Sequence, residues 1–365
     1  MGTGIPERRL ERLIDRCYAG LDLPELTIEV LRRLPDILPV EAVFFASVDP
    51  ATLLFTSTAA QEPLDGAGSL FLDNEYGRED VNKFTALARG PDKVTSLDRA
   101  TRGQRSESAR YREIMAGLGL GDELRAALTA GGDCWGVLCL HRADGEAGFC
   151  GQDLDVLRKL APHLAEGLRR TVVQETLRRK GPAPRPAPPG TAGVIVLDQE
   201  LALVSISPDA EQWLARLPGP RIVGLPVPVY SVAAHLATPD DVPGSAAADR
   251  HGSVRLRTSD GQWLSLHATR LRGPAGHQIG VVVEPAPAAE IGSLILAAHG
   301  LTPAQNRVTA LVLEGCSTHE IVERLHVSAY TVQEHLTAVF ARFGVRSRRE
   351  LIAALLSSHR PSQEE

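Results

Sequence analysis

Residues 301–365 carry the most regular hydrophobic pattern in the chain. Apolar side chains recur there in steps of three and four, the spacing of one helix face, at Val308, Leu311, Val312, Ile321, Leu325, Val332, Leu336, Val339, Phe340 and Phe343. Helix-start signals of the capping type divide the segment, at Thr302 with Gln305, Ser317 with Glu320, Ser328, and Ser347 with Glu350. Gly315 and Gly344 fall where helix ends favour a left-handed residue. The pattern predicts four short helices around one small core.

The third of these predicted helices has a polar face opposite its apolar stripe. That face presents Gln333, Glu334, Thr337 and Ala341. Two helices joined by a tight connection, here Leu325–Ser328, with the second helix polar on its outer face, can place that helix in the major groove of DNA. The spacing is equally typical of a small protein-interaction bundle, so both a DNA-binding module and an interaction bundle stay open at this point.

Strand-like and helix-like patterns alternate in the rest of the chain. Runs rich in β-branched and aromatic residues predict strands at 42–48, 52–58, 123–130, 134–142, 194–198, 201–206, 253–258, 262–271 and 278–284. Helical periodicity predicts one helix over Leu26–Leu38, ending at Pro39, and a long one from Gln152 to about Arg178. A further helix is predicted from Ser207, its N-cap, to Leu217.

Two proline-rich stretches divide the chain. The segment 181–190, GPAPRPAPPG, is an extended spacer that cannot continue a helix, and EPAPAAE at 284–290 is a softer boundary. The predicted organisation is a first domain at 1–180, a linker at 181–190, a second domain at 191–286, a connecting helix at 287–300 and a final domain at 301–365.

Composition and charge narrow the function classes. No apolar run approaches the ~18 residues that a membrane span needs, and residues 1–30 hold no signal-peptide core, so we expect a cytoplasmic protein without a membrane partner. The net charge is −6, which argues weakly against a nucleic-acid partner. Residues 299–360, however, carry seven arginines against five glutamates. This mildly basic end permits DNA binding without requiring it.

The C-terminal segment resembles the LuxR/FixJ-type helix-turn-helix over about 55 positions, from LTP through EIVERLHVS and TVQEHL to FGVRSRREL. The resemblance implies that the third helix is the recognition helix, that the fourth commonly makes a homodimer, and that double-stranded DNA is the partner. The family's base-reading positions fall on Gln333, Glu334 and Thr337. Its phosphate contacts fall on Ser328, Tyr330, Thr331, Arg346, Arg348 and Arg349.

The segment departs from that family at two places. Gln305 and Arg307 stand where two glutamates are usual, and Gln333 replaces a usual lysine. Losing a cation weakens attraction to phosphate but does not abolish base reading. We therefore expect altered specificity, in which Gln333 bonds adenine and Glu334 accepts from cytosine N4.

The two upstream domains resemble known sensor domains. The first resembles a GAF domain in its strand order, in CWGVLCLHR and in the long helix that begins at 151–153; the second resembles a PAS domain in its element order and in 194–214. Both folds build a cup that often holds a small ligand. No cofactor is firmly implied and the ligand is unknown. A haem bound by a histidine stays an alternative, the candidates being His141, His163, His235 and His267. A redox role for Cys134 or Cys139 also stays open.

The sequence as a whole predicts a multidomain regulator: an α+β GAF-like domain, an α+β PAS-like domain and an all-α four-helix LuxR-type helix-turn-helix domain. The predicted function is sequence-specific DNA binding under the control of the sensing domains. No nucleophile, phosphate-loop or metalloprotease signature is present, so no enzyme is expected. The alternative is a sensor or scaffold that acts through protein contacts with a vestigial helix-turn-helix. We expect the apolar segment 291–300 to transmit the signal from the sensing domains to the DNA-binding domain. Leu294→Asp or Leu296→Asp should therefore uncouple DNA binding from sensing.

Overall fold

The computed structural model describes residues 4–177, 191–237, 252–273 and 276–356. The described residues fall into two compact units, unit 1 within residues 1–171 and 190–285 and unit 2 within 172–189 and 286–365. The boundary at residue 171 lies inside the helix Gly151–Leu177, most of which belongs to unit 1. The predicted proline-rich linker at 181–190 lies outside the described residues, as does the end of the chain after residue 356. The predicted domain boundaries stay predictions.

The first half of unit 1 is a five-stranded antiparallel sheet flanked by helices. Its helices and strands are, in chain order, α1 (Gly4–Tyr18), α2 (Leu23–Arg33), β1 (Ala42–Val48), β2 (Phe55–Ala60), α3 (Gly68–Gly77), α4 (Phe84–Arg89), β3 (Val94–Ser96), α5 (Leu97–Thr101), β4 (Leu120–Ala130), β5 (Asp133–Ala143) and α6 (Gly151–Leu177), with single helical turns at Leu34–Asp36, Asp65–Ala67, Arg105–Glu107, Tyr111–Met115 and Ala116–Leu118. The strand order is β2-β1-β5-β4-β3. Strand β1 is buried along its whole length, as expected of a central strand covered on both faces.

Single residues explain one helix end and one close packing contact in this half. Helix α2 ends at Arg33, earlier than predicted, because Pro35 lacks the amide hydrogen that a continuing helix needs. Helix α6 packs closely on its neighbours: a Cβ at Gly136 in β5 would lie 2.3 Å from a Leu168 side-chain carbon. The predicted long helix and the strands at 123–130 and 134–142 are confirmed.

The second half of unit 1 repeats this sheet order. Its elements are β6 (Gly193–Leu197), β7 (Leu203–Ile206), α7 (Pro208–Ala215), β8 (Arg221–Ile222), β9 (Leu225–Pro226), α8 (Val227–Ala237), β10 (Gly252–Arg257), β11 (Trp263–Gly273) and β12 (Gly276–Pro285). The sheet runs β10-β11-β12-β6-β7, so the first and last strands are neighbours in both sheets. The predicted turn before β11 is confirmed, with Gly261 at a φ of +89°.

Helix α8 lies between the two halves of unit 1 and packs against both. Its residues 227–234 are all buried, because α8 packs on β10, β11 and β12 on one side and on α3 and β2 on the other. Polar contacts accompany this packing: the Tyr230 hydroxyl donates to an Asp73 carboxylate oxygen at 3.1 Å. The two halves therefore share one core.

A buried ion pair joins the two halves at the β1–β2 turn. The Arg255 guanidinium donates to both carboxylate oxygens of Asp49, at 2.8 and 2.6 Å, and the Arg255 backbone amide donates to the same group at 3.0 Å. Asp49 and Arg255 are 3% and 9% exposed. Because β10 is an edge strand, Asp49 also satisfies a backbone donor that would otherwise lack a strand partner.

Unit 2 contains helices α9 (Ala288–Ala298), α10 (Pro303–Leu313), α11 (Thr318–Leu325), α12 (Ala329–Phe343) and α13 (Arg348–Leu356). The last four are the helices predicted from the hydrophobic pattern, and the capping boxes at Thr302 and Ser317 are confirmed. Helix α9 lies in the predicted connecting segment but packs on α10 and α13. Its apolar side chains enter the core of this unit: Ile291, Leu294 and Ile295 are at most 4% exposed.

Asp49→Ala should destabilise unit 1 by about 3–5 kcal/mol, because it leaves the Arg255 guanidinium buried without its counter-charge. Urea unfolding followed by tryptophan fluorescence measures this, since all three tryptophans, Trp135, Trp213 and Trp263, lie in unit 1. Asp155→Ala is the matched control, because its pair with Arg158 is exposed; there we expect a loss below about 0.5 kcal/mol.

The double variant Asp49→Ala/Arg255→Met should regain part of the lost stability, since it removes the unpaired charge. Equal unfolding midpoints for Asp49→Ala and Asp155→Ala would contradict a structural role for the buried pair.

Candidate nucleic-acid interface and sensor interior

Helix α12 is held with one face in the core of unit 2 and the other in solvent. Val332, Leu336 and Val339 are buried, at 0%, 4% and 0% exposure. The helix begins at the Ser328 cap, whose hydroxyl accepts from the Thr331 amide at 3.0 Å. Gly344 ends it in the left-handed conformation, as predicted. Apolar anchoring thus fixes which face of α12 points outward.

The predicted base-reading residues lie on that outward face. Gln333, Glu334 and Thr337 are all exposed. The Thr337 hydroxyl donates to the Gln333 carbonyl oxygen at 2.9 Å, so this hydroxyl already has a partner within the helix. Amide, carboxylate and methyl groups are the side-chain functions that read adenine, cytosine and thymine edges. The assignment to particular bases stays a prediction.

The residues predicted to contact phosphate fall into two groups. Ser328 and Tyr330 are exposed at the amino-terminal end of α12, Tyr330 at 71%, and the Thr331 and Ser328 hydroxyls are 2.9 Å apart. Anions favour such a helix end. Arg346, Arg348 and Arg349 lie at the start of α13, with Arg346 and Arg349 exposed.

Arg348 differs from its neighbours because its guanidinium points back into the domain. It donates to the Val312 carbonyl oxygen at 3.5 Å and to the Cys316 carbonyl oxygen. These carbonyls lie at the carboxyl end of α10 and just beyond it, where backbone acceptors lack helical partners. The contact gives Arg348 a structural role that the sequence pattern did not indicate.

The turn between α11 and α12 depends on a residue that sequence analysis missed. His326 ends α11 with a φ of +53°, in the left-handed region. Non-glycine residues adopt this conformation at a cost. The available signal was its place one residue after the last apolar position of α11, where glycine is the usual choice.

The first half of unit 1 has a charged interior that the sequence pattern did not reveal. Arg110 and Arg125 are 1% and 0% exposed, and both pair with Glu123, at 2.7 and 3.0 Å. Arg125 also donates to Glu75 at 2.8 Å. The Arg125 guanidinium lies over the Phe84 ring, 4.4 Å from its centroid. These charges sit on the sheet face that looks toward α3 and α4.

The pKa of Glu123 reflects this environment. Burial alone would raise the pKa, but the charges of Arg110 and Arg125 outweigh burial and hold the pKa of the Glu123 carboxyl well below its usual value. Lys83, partly buried nearby, donates to the Asn74 and Glu75 carbonyl oxygens, and desolvation lowers the pKa of its amine to about 8. The interior of this half therefore contains a cluster of buried ion pairs beside its apolar core.

The histidines considered as haem ligands all have polar or aromatic partners. His141 is 3.3 Å from Glu123, His163 is 2.8 Å from the Tyr18 hydroxyl, and His267 is 2.9 Å from the Ser265 hydroxyl. The ring of His235 meets the ring of Tyr76 edge to face. Among the described residues, no group of three or more His, Cys, Asp or Glu side chains is placed to hold a metal ion.

The two cysteines considered for redox chemistry are buried free thiols. Burial raises the pKa of Cys134 to about 11 and that of Cys139 well above its usual value. The thiolate is the reactive form of cysteine. Both thiols are therefore held in their unreactive, protonated form at neutral pH.

Comparison with known proteins agrees with the geometry at both ends of the chain. Residues 299–355 match the family model of bacterial regulatory proteins of the luxR family, and residues 22–168 match that of the GAF domain. The chain thus carries a GAF domain in its amino-terminal part and a LuxR-type helix-turn-helix domain at its carboxyl end, which confirms both resemblances. In the described part of the chain, none of the helices combines the length and apolar character needed to cross a membrane.

Similar proteins are found for each domain. Proteins named as HTH-type transcriptional regulators in Mycobacterium bovis and Mycobacterium tuberculosis are 50% identical over 52 residues, which is 14% of this chain and 6% of theirs. The chain therefore matches only a small part of the length of these curated relatives. The GAF domain of a phosphoenolpyruvate-protein phosphotransferase from Coxiella burnetii is 15% identical, with 48% of this chain and 98% of that chain covered and a TM-score of 0.32. The LBD domain of VqsR from Pseudomonas aeruginosa is 15% identical, with coverages of 47% and 98% and a TM-score of 0.33.

His326→Gly should stabilise the α11–α12 turn by about 1 kcal/mol, because glycine adopts the left-handed conformation without a Cβ clash. His335→Gly, inside α12, is the matched control and should destabilise by about 1 kcal/mol. Amide hydrogen exchange of the full chain, read on peptides from 318–343, measures both. Faster exchange in His326→Gly would contradict the role given to this residue.

Glu123→Gln should lower the stability of unit 1 at pH 7 by about 3 kcal/mol, since Arg110 and Arg125 lose their shared counter-charge. In the wild type, the stabilisation from a lowered pKa is complete above the pKa of an unfolded glutamate, about 4.5, and is lost as the pH falls below it. The variant should therefore lose part of the acid dependence of unfolding. Tryptophan fluorescence in urea between pH 7 and pH 3 measures this.

Glu113→Gln is the matched control for that experiment, because Glu113 pairs with Arg78 at an exposed site. It should change stability by less than about 0.5 kcal/mol. If the free energy of unfolding of Glu123→Gln fell between pH 7 and pH 3 as much as that of the wild type, this carboxylate would not govern the pH dependence.

Proposed function

We propose that this chain is a sequence-specific transcriptional regulator that binds double-stranded DNA through α12, under the control of the sensing unit. The observation that carries the proposal is the outward face of α12. Its apolar stripe is locked in the core, and Gln333, Glu334 and Thr337 are exposed within the segment that matches the luxR family. A capped helix with a fixed polar face is what major-groove reading requires.

The sensing part of the proposal rests on unit 1. Its first half is a GAF domain, and we propose that the second half is a PAS-like domain. The repeated strand order of the two sheets supports this, with first and last strands adjacent in each. Neither half has an assigned ligand, and we propose no catalytic role. The regulator would act as a homodimer in the cytoplasm, where its DNA partner would be.

Burial of Leu294 and Leu296 changes how the proposed test of signal transfer through 291–300 must be read. Leu294 and Leu296 are 4% and 6% exposed, so an aspartate at either position would disrupt the core of unit 2. Loss of regulation in those variants would then report unfolding as well as uncoupling. Signal transfer through α9 is better tested at residues that contact the helix from outside its core.

Selection of the full chain on random duplex DNA at one fixed, moderate salt concentration tests the proposal. We expect enrichment of a two-fold symmetric site, with affinity that falls steeply as salt is raised. The control is the variant Gln333→Ala/Glu334→Ala/Thr337→Ala, which keeps the core residues of α12. No enrichment by the wild type would favour the scaffold alternative. That alternative is supported by the charge of −8 outside residues 299–360 (−6 in total, +2 in that segment) and by Gln333 in place of the usual lysine.

Glu334→Ala should relax discrimination at one base pair by ~1–3 kcal/mol, because the carboxylate no longer accepts a hydrogen bond from the base. Binding to a set of single-base operator variants measures this loss. Glu323→Ala is the matched control, since Glu323 is exposed on α11 and its loss changes the charge equally. The same base preferences in Glu334→Ala and the wild type would contradict the assignment.

A further inference from the structure

The carboxyl ends of α9 and of the recognition helix α12 are joined by two side chains. Nη1 of Arg342, in the last turn of α12, donates to the His299 carbonyl oxygen at 3.0 Å and to the Gly300 carbonyl oxygen. The His299 ring stacks on the Phe343 ring, with centroids 3.8 Å apart and planes 25° from parallel. Two consecutive residues of α12 therefore hold two consecutive residues at the end of α9.

The chemistry of these contacts suits a junction between helix ends. The last carbonyls of a helix lack amide partners and carry partial negative charge. A guanidinium supplies both the donors and the positive charge that such an end favours. Arg324 shows the contrast within the same unit, because its guanidinium pairs with the Glu314 carboxylate at 3.0 Å on the surface.

Helix α9 is itself anchored in the core of unit 2. Ile291 and Ile295 are 0% and 1% exposed. Gly292 faces α10, where an added Cβ would lie 3.8 Å from a Leu313 side-chain carbon. Undocking of a helix packed in this way exposes several apolar side chains to water at once. Helix α9 therefore has a docked arrangement that is separated from undocked ones by a substantial cost.

We infer that docked α9 sets the position of the recognition helix, and that Arg342 and His299 are the positioning residues that make this connection. The inference rests on the proposed DNA-binding function. Any signal that undocks α9 releases the carboxyl end of α12 and weakens operator binding. By linkage, operator binding stabilises docked α9 to the same degree.

Arg342→Ala in the full chain tests the connection, with Arg324→Ala as the matched control that removes the same charge. Hydrogen exchange on peptides from 290–300 measures docking of α9. We expect about fivefold faster exchange in Arg342→Ala, the effect of losing about one net hydrogen bond, and wild-type exchange in Arg324→Ala. If Arg342 acted only through its surface charge, exchange on 290–300 would change equally in Arg342→Ala and Arg324→Ala.

Operator affinity provides the functional readout. Both variants lose one positive charge and neither arginine is among the predicted phosphate contacts, so the two variants should show the same salt dependence of binding. Arg342→Ala should lose about fivefold more affinity than Arg324→Ala, because it also loses the positioning of α12. Adding operator should slow the exchange of 290–300 in the wild type and slow it less in Arg342→Ala.

Substitution of His299 tests the second contact. His299→Ala should speed exchange of α9, whereas His299→Phe keeps an aromatic ring against Phe343 and should restore slow exchange. Equal exchange of 290–300 in the wild type, Arg342→Ala and His299→Ala would overturn the inference. Absence of operator binding by the wild type would instead overturn the proposed function, since the exchange measurement does not depend on DNA.

Discussion

A helix that is apolar on every side must be covered on every side, and α8 imposes this constraint on unit 1. Residues 227–234 are buried without interruption. The sheet formed by β10, β11 and β12 covers one side of α8, and α3 and β2 of the GAF domain cover the other. Without the GAF domain, that second side would face water. The ion pair of Asp49 with Arg255 and the hydrogen bond from Tyr230 to Asp73 then add directional contacts to a junction that apolar burial requires.

The same helix α3 that contacts α8 also borders the charged interior of the GAF domain. Asp73 and Tyr76 belong to the side near α8, and Glu75 pairs with Arg125. Buried ion pairs of this kind add little net stability, because desolvation offsets their attraction, but losing one partner is costly. The network of Glu75, Glu123 and Arg125 therefore makes the interior sensitive to any change in charge.

Unit 2 is built differently, from short helices that each have one buried apolar side, with polar groups capping the helix ends. Its core orients α12, and the caps at Thr302, Ser317 and Ser328 fix where the helices begin. Arginine side chains then tie carboxyl ends to neighbouring helices: Arg348 reaches the end of α10, and Arg342 reaches the end of α9. Burial of its apolar side chains decides which face of α12 points outward, and the arginine contacts hold the helix ends in place.

The sequence by itself determined the helices of unit 2, their caps and the outward face of α12, since these follow from local periodicity and from capping signals three residues apart. The long helix α6 and strands β4 and β5 were predictable for the same reason. Hydrophobic periodicity did not predict the end of α2, which lies just before Pro35, or the left-handed backbone of His326, which no periodicity encodes. Only the tertiary structure decided which distant residues meet. Asp49 and Arg255 are 206 positions apart, and Arg342 and His299 are 43 apart. Such contacts depend on how whole elements pack, because a charged side chain carries no local signal of its partner.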